Sequence, residues 1–541
     1  MSANKNFLED DMSKEENDKK QIVEVKEEKT KHKKGILKRL DKNFIISQVF
    51  YWIFIAITIF YFREAVFETK EIIKNILLVA SLIIAVAIDV VLVIFNKKDV
   101  EYHKQFIVLA IIFGVFYFLA APFPNGTDEG SHFLRVFKIS QKYTSLSFQE
   151  DTLFPPAFQK AMDYNNNRDM TYENYANEFD AFSMNSEERK DLISYYWNMK
   201  LYSPIQYIPQ VLGVTAGRLF SDNVVIIGMC GRITGYIFWT ALCAYAIKIM
   251  PNKKLFLTIL CLLPVNIFSA ICISGDTVTN AVCTFFIAFI YRKVYLKEKI
   301  TTKEQIITIL IACLLALCKI VYLPFDTLVL LLKYDNFENK KSWKRFVILL
   351  ITLSVIVGLG WLVIGSMNLA NSNAASGDQL KYILNNPFEY VLVILNTMTA
   401  KGAQFIYQLC TGDELMCHAK TTVYPIISYI YSIILFFSVF MEDKEKEKKI
   451  ELNLARKIWV ALIMIGTGLL IVTAIYIQWT SLWEVGKDSI LGIQGRYFIP
   501  VAALLIFLVN KTKIETNPKL LMNILILMQI PVICQIMNVF V

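Results

Sequence analysis

Thirteen apolar stretches, each long enough to cross or enter a bilayer, run through this chain, and one long polar loop interrupts them. A hydrocarbon span takes roughly 20 mostly apolar residues, because backbone amides there find partners only inside a helix or a closed barrel. The chain therefore reads as an all-α integral membrane protein. At 541 residues, 55% hydrophobic residues and a mean hydropathy of +0.45 are too apolar for a soluble protein. The net charge of +9 follows from lysine-rich loops, the positive-inside bias, with anionic membrane lipids as the partner and not nucleic acid.

The first 43 residues mix Lys, Glu and Asp densely and predict a disordered cytoplasmic tail. Two additional spans fill residues 44–104, and a main membrane domain covers 105–510 with an external loop at 122–202. A last span lies within 511–541. Expected crossings include Val224 to Met250, Leu255 to Ile273, Ile320 to Leu332 and Tyr497 to Val509. Ser203 to Phe220 and Tyr390 to Leu409 are weaker and read as re-entrant or surface segments. With the tail inside, Asp128, Asp276, Lys319 and Arg496 all fall at the outer face of a plasma membrane. Eight of the ten cysteines lie in apolar stretches, where a thiol acts as a small hydrophobe; only Cys410 and Cys417 share a polar loop, either free or bridged.

The loop opens with Pro124-Asn125-Gly126-Thr127-Asp128-Glu129-Gly130-Ser131-His132-Phe133-Leu134-Arg135. Asp128 is placed to cap a helix, and Glu129, His132 and Arg135 then recur every three residues on adjoining parts of one face. Such a face can hold a base, an anionic group or a divalent ion bound by Asp128, Glu129 and His132. Taken singly, His132 reads as a hydrogen-bonded structural histidine and Arg135 as a snorkelling arginine. Lys319 sits between two apolar runs and either faces an anion or snorkels. Asp276 suits the cap of the next span, and Arg496-Tyr497 suits an anionic headgroup or pyrophosphate. Arg218 and Arg232 are weaker candidates. No Walker loop, dinucleotide glycine pattern, zinc spacing or internal repeat is evident, which argues against ATP-driven transport.

Several motifs recur in a familiar order: Pro124 to Arg135, Tyr202-Ser203-Pro204 with Tyr207 and Pro209-Gln210, Ser274 with Asp276, Lys319 with Tyr322-Leu323-Pro324, and Gly495-Arg496-Tyr497-Phe498-Ile499-Pro500. From about residue 105 to 510 the chain resembles the bacterial multi-pass family called domain of unknown function 2142. That family is similar to type-C glycosyltransferases, which move a sugar from a polyprenyl-phosphate carrier to an acceptor at the outer face. The resemblance implies a catalytic acid in the first large external loop, hence Asp128 with Glu129 beside it. It also implies a polyprenyl-phosphate sugar donor and a glycan or lipid acceptor as partners. Gly130-Ser131 and the two spans before Phe106 depart from the family pattern.

The leading expectation is an inverting glycosyltransferase of the cell envelope, with Asp128 as base and Arg135, Lys319 or Arg496 meeting the leaving phosphate. A transporter or flippase of lipid-linked sugars, and a non-catalytic component of an envelope-polysaccharide assembly, are the alternatives. Ionisable groups gathered at one rim favour transfer, whereas groups spread through the bilayer favour transport.

Overall fold

The computed structural model describes residues 44–46, 48–53, 55–56, 72–98, 100–141, 153–166, 171–184, 193–194, 199, 202–367, 374–412, 425–441, 452–509 and 518–539. The expected tail and Cys417 lie outside the described residues. The described chain is helical apart from one short antiparallel pair, Leu153–Phe154 with Ile193–Ser194.

Among the described residues four helices are long and apolar enough to cross a bilayer: Tyr102–Ala120, Val224–Ile249, Lys340–Gly365 and Leu454–Leu482. The helices Lys254–Cys261 and Pro264–Ile271 make a fifth if they are counted as one span bent by 56°. The chain is thus an all-α protein with several membrane-type helices. Lys340–Met367 and Leu454–Gln478 carry exposed apolar faces, with Ile348, Ile356, Leu462 and Ile465 all open. Rows of exposed isoleucine and leucine suit hydrocarbon rather than water. Lys254–Cys261, apart from Lys254, and Pro264–Ile271, by contrast, are buried throughout, and Gly275–Leu296 is buried along most of its length.

Three expected spans are broken, each next to a proline. The Leu255 to Ile273 stretch bends where Pro264 starts a new helix, since proline fits a first turn but cannot donate within one. Residues Ile320–Leu331 form a 3₁₀ helix containing Pro324, not an α-helical span. Gly495–Phe498 is also 3₁₀, followed by the short helices Ile499–Ala503, with Pro500 in its first turn, and Leu505–Leu508. The Ser203 to Phe220 stretch becomes a 3₁₀ turn, Pro204–Tyr207, and the helix Ile208–Phe220. Tyr390 to Leu409, read as a surface segment, lies within one continuous helix, Pro387–Thr411.

Ile208–Phe220 packs closely on Val224–Ile249. A Cβ on Gly213 would collide with the Cys230 carbonyl, and one on Gly217 would lie 3.1 Å from Ile227 Cα. Small residues four apart let two backbones approach in this way. Phe133 and Phe137 of the helix Glu129–Gln141 join Phe123 and Phe158 in a second core, with Phe133 stacked on Phe158 at 5.6 Å.

Candidate functional site

Asp128 immediately precedes the helix Glu129–Gln141, and its carbonyl accepts the first turn's bond from His132 N at 3.1 Å. Its backbone is left-handed, with φ of 58°, a region that Asp and Asn tolerate better than most residues. The side chain does not cap the helix. Its Oδ2 lies 3.4 Å from Arg496 Nη2, and the carboxylate is 39% exposed.

Glu129 turns the other way. Its Oε1 accepts from Arg232 Nε at 2.7 Å and from Ile273 N at 2.8 Å, and its Oε2 from Arg232 Nη2 at 2.5 Å and Gly126 N at 2.8 Å. Both side chains are fully buried, and Arg232 also donates to Ala121 O at 2.7 Å. A carboxylate with four donors in place is a staple between the loop and the core, not a free base. The adjacent acids expected to act together are therefore divided, with Glu129 holding structure and Asp128 facing solvent.

Asp276, in the first turn of Gly275–Leu296, was expected to cap it; instead Ser274 holds the cap position and Asp276 joins a charged cluster. One Asp276 oxygen pairs with Lys319 Nζ, and the other lies 3.3 Å from Arg496 Nε. Lys319, at the end of Thr302–Cys318, therefore does not snorkel: its side chain is 14% exposed, against 8% for Asp276 and 10% for Arg496. The Tyr497 ring lies under both cations, 4.8 Å from Lys319 Nζ and 5.3 Å from the Arg496 guanidinium carbon. Asp128, Arg496, Asp276 and Lys319 thus make one chain of alternating charge drawn from four distant segments, and Asp128 is its most open member.

His132 sits beside the cluster, its Nδ1 2.6 Å from Tyr207 Oη and its ring against Tyr202. Burial pushes its pKa down to about 4, with neighbouring Asp128 and Asp276 only partly offsetting that, so the imidazole is neutral near pH 7. Arg135 donates from Nη2 to Tyr202 O at 3.2 Å. The three residues expected on one helix face thus reach three different partners. Among the described residues no group of His, Cys, Asp and Glu is arranged to hold a metal, and Glu129 has no lone pair to spare for one. Arg218 bonds Ser140 O at 2.8 Å and anchors the end of the Asp128 helix.

An apolar groove of about 170 Å³ runs up to the cluster. Gly358, Trp361 and Leu362 form one wall and Ile471, Ala474, Ile475 and Gln478 another, while Lys319, Tyr202 and Tyr497 close the polar end. The wall residues were not picked out from sequence. Their spacing of three, four and seven was the available signal, but on an apolar helix every face shows it.

No curated protein matches this chain, and no solved structure does. The sequence pattern of one family, described as predicted membrane protein (DUF2142), matches residues 111–505, well over half of the chain and including Asp128, Asp276, Lys319 and Arg496. The chain therefore belongs to the domain of unknown function 2142 family of membrane proteins.

Proposed function

We propose that the chain is an inverting membrane glycosyltransferase of the type-C kind, moving a sugar from a polyprenyl-phosphate carrier to a glycan or lipid acceptor of the cell envelope. The observation that carries this reading is the junction of an apolar groove with a charged cluster whose open carboxylate is Asp128. The groove suits a prenyl chain, and Lys319 at its polar end suits the phosphate. In the transfer, an acceptor hydroxyl attacks the anomeric carbon and gives its proton to Asp128. The bond from that carbon to the phosphate oxygen breaks on the opposite face. Lys319 and Arg496 then meet the charge growing on the departing lipid phosphate. Arg496 orients the Asp128 carboxylate at 3.4 Å while touching the same network. Glu129 and Arg135 take no part in these steps.

The proposal includes thirteen crossings in a plasma membrane, the broken stretches counted among them, with the N-terminus cytoplasmic, and on that count the cluster lies at the outer face. Gathering of the ionisable residues at one place favours transfer over a translocation path. A flippase of lipid-linked sugars is the second reading, favoured by the 56° break between Lys254–Cys261 and Pro264–Ile271, because broken helices line transport sites.

Asp128→Asn tests the proposal. Asn accepts the left-handed backbone, so the protein is expected to fold and reach the membrane while sugar transfer falls by about 10²–10⁴-fold. Surface glycan and lipid-linked intermediates unchanged from wild type would sink the transferase reading.

A further inference from the structure

A second, smaller cavity lies beside Arg496 and shares no lining residue with the groove. Its volume is about 10 Å³, and its walls include Thr127, Phe268, Ser269, Gln408, Gln494 and Arg496. Backbone geometry builds it. A Cβ on Gly495 would strike Leu409 N and Gln408 C, so only glycine lets the 3₁₀ turn sit against the end of Pro387–Thr411. That helix stops at Gly412, whose φ is 82° and whose N–H bonds Gln408 O at 3.0 Å, placing Gln408 in the last turn.

Gln408 and Gln494 are 3% and 8% exposed, and the Oε1 of each is buried with no hydrogen-bond partner among the described residues. Buried amide acceptors normally find a donor. Arg496 Nε, a donor on the same wall, also lacks a hydrogen bond among the described residues, so two acceptors and one donor around one cavity mark the place of a missing group that both donates and accepts. A cation there would meet the Arg496 guanidinium, and an anion would face two acceptor oxygens. An apolar group would leave both amides unsatisfied. A hydroxyl donates and accepts, and so satisfies a glutamine in either amide orientation. The space holds one water-sized group, which is the size of a single hydroxyl.

We infer that this cavity, with Arg496 in its wall, is a hydroxyl-binding subsite that takes one –OH of a sugar or polyol. Calling that molecule the acceptor rests on the transferase reading; the hydroxyl chemistry does not. The test uses the full chain in nanodiscs free of glycoside detergents, with methyl glucoside, methyl galactoside and methyl mannoside as probes in saturation-transfer NMR. At least one probe is expected to bind wild type, and Gln408→Leu and Gln494→Leu to bind it about tenfold more weakly. Leucine removes an unsatisfied acceptor at similar volume, so the melting temperature is expected to hold or rise. Gln494→Asn, which keeps the amide on a shorter arm, is expected to fall between the two. Failure of all three probes to bind wild type would mean that the cavity holds only water, and would overturn the inference. Wild-type binding in the Leu variants, or weaker binding accompanied by a lower melting temperature, would overturn it too. Binding that survives while Asp128→Asn leaves surface glycan unchanged would remove the transferase reading alone.

Discussion

Two neighbouring carboxylates have opposite surroundings in this protein. Glu129 is locked into Arg232 with both oxygens occupied, and Asp128 is open with one long contact to Arg496. Removing one partner of a buried pair strands the other charge, so Glu129→Gln is expected to cost about 3–5 kcal/mol of stability. Comparing its melting temperature with that of Asp128→Asn checks this, because the Asp128 variant should melt near wild type. His132 gives a pH prediction. Its pKa is near 6.5 unfolded and about 4 folded, so between those values the unfolded chain binds the extra proton. Stability is therefore expected to fall by up to ~3 kcal/mol as pH drops through that window and to be flat above it. Melting curves of wild type and His132→Gln from pH 4 to pH 7 should converge on acidification, and parallel curves would contradict the assignment. The sequence singled out the loop of Asp128 and the cations Lys319 and Arg496, which the structure gathers into one cluster, and also Arg135, which bonds Tyr202 O instead. It could not divide Asp128 from Glu129, because spacing along a helix gives direction but not what waits there, and Arg232 sits in a distant apolar span.

At the scale of elements, helix existence was legible where apolar runs were long, as in Val224–Ile249 and Lys340–Met367. Runs interrupted by proline were not, and Leu255 to Ile273, Ile320 to Leu332 and Tyr497 to Val509 all break. Hydropathy sums apolar area without regard to a missing amide hydrogen. Asp276, Lys319 and Arg496 each lie at the end of a segment beside one of those breaks. The close pair Ile208–Phe220 and Val224–Ile249 yields a packing prediction: Gly213→Val drives a side chain into the Cys230 carbonyl and is expected to cost at least 1–3 kcal/mol, on the order of other overpacked cores. Loss of the monodisperse peak in fluorescence-detected size exclusion is the readout. On the proposed transferase reading, Ala474→Trp, which adds bulk to the groove wall, is expected to raise the donor KM by about tenfold or more with folding retained. An unchanged donor KM would place the lipid elsewhere.

Across the whole molecule, the cluster joins residues 128, 276, 319 and 496, so its parts are spread over most of the chain. Sequence motifs supplied the members in order but not their contacts, since hydropathy carries no information on which distant ends meet. The two acids and two cations balance, so the charges of this half-buried cluster offset one another. The long separation also has a consequence for biosynthesis. While the ribosome is still making the chain, Asp128 emerges several hundred residues ahead of Arg496, and no shorter intermediate possesses both. The cluster can therefore close only once residue 496 has emerged, and a chain stopped before it lacks the Asp128–Arg496 pair.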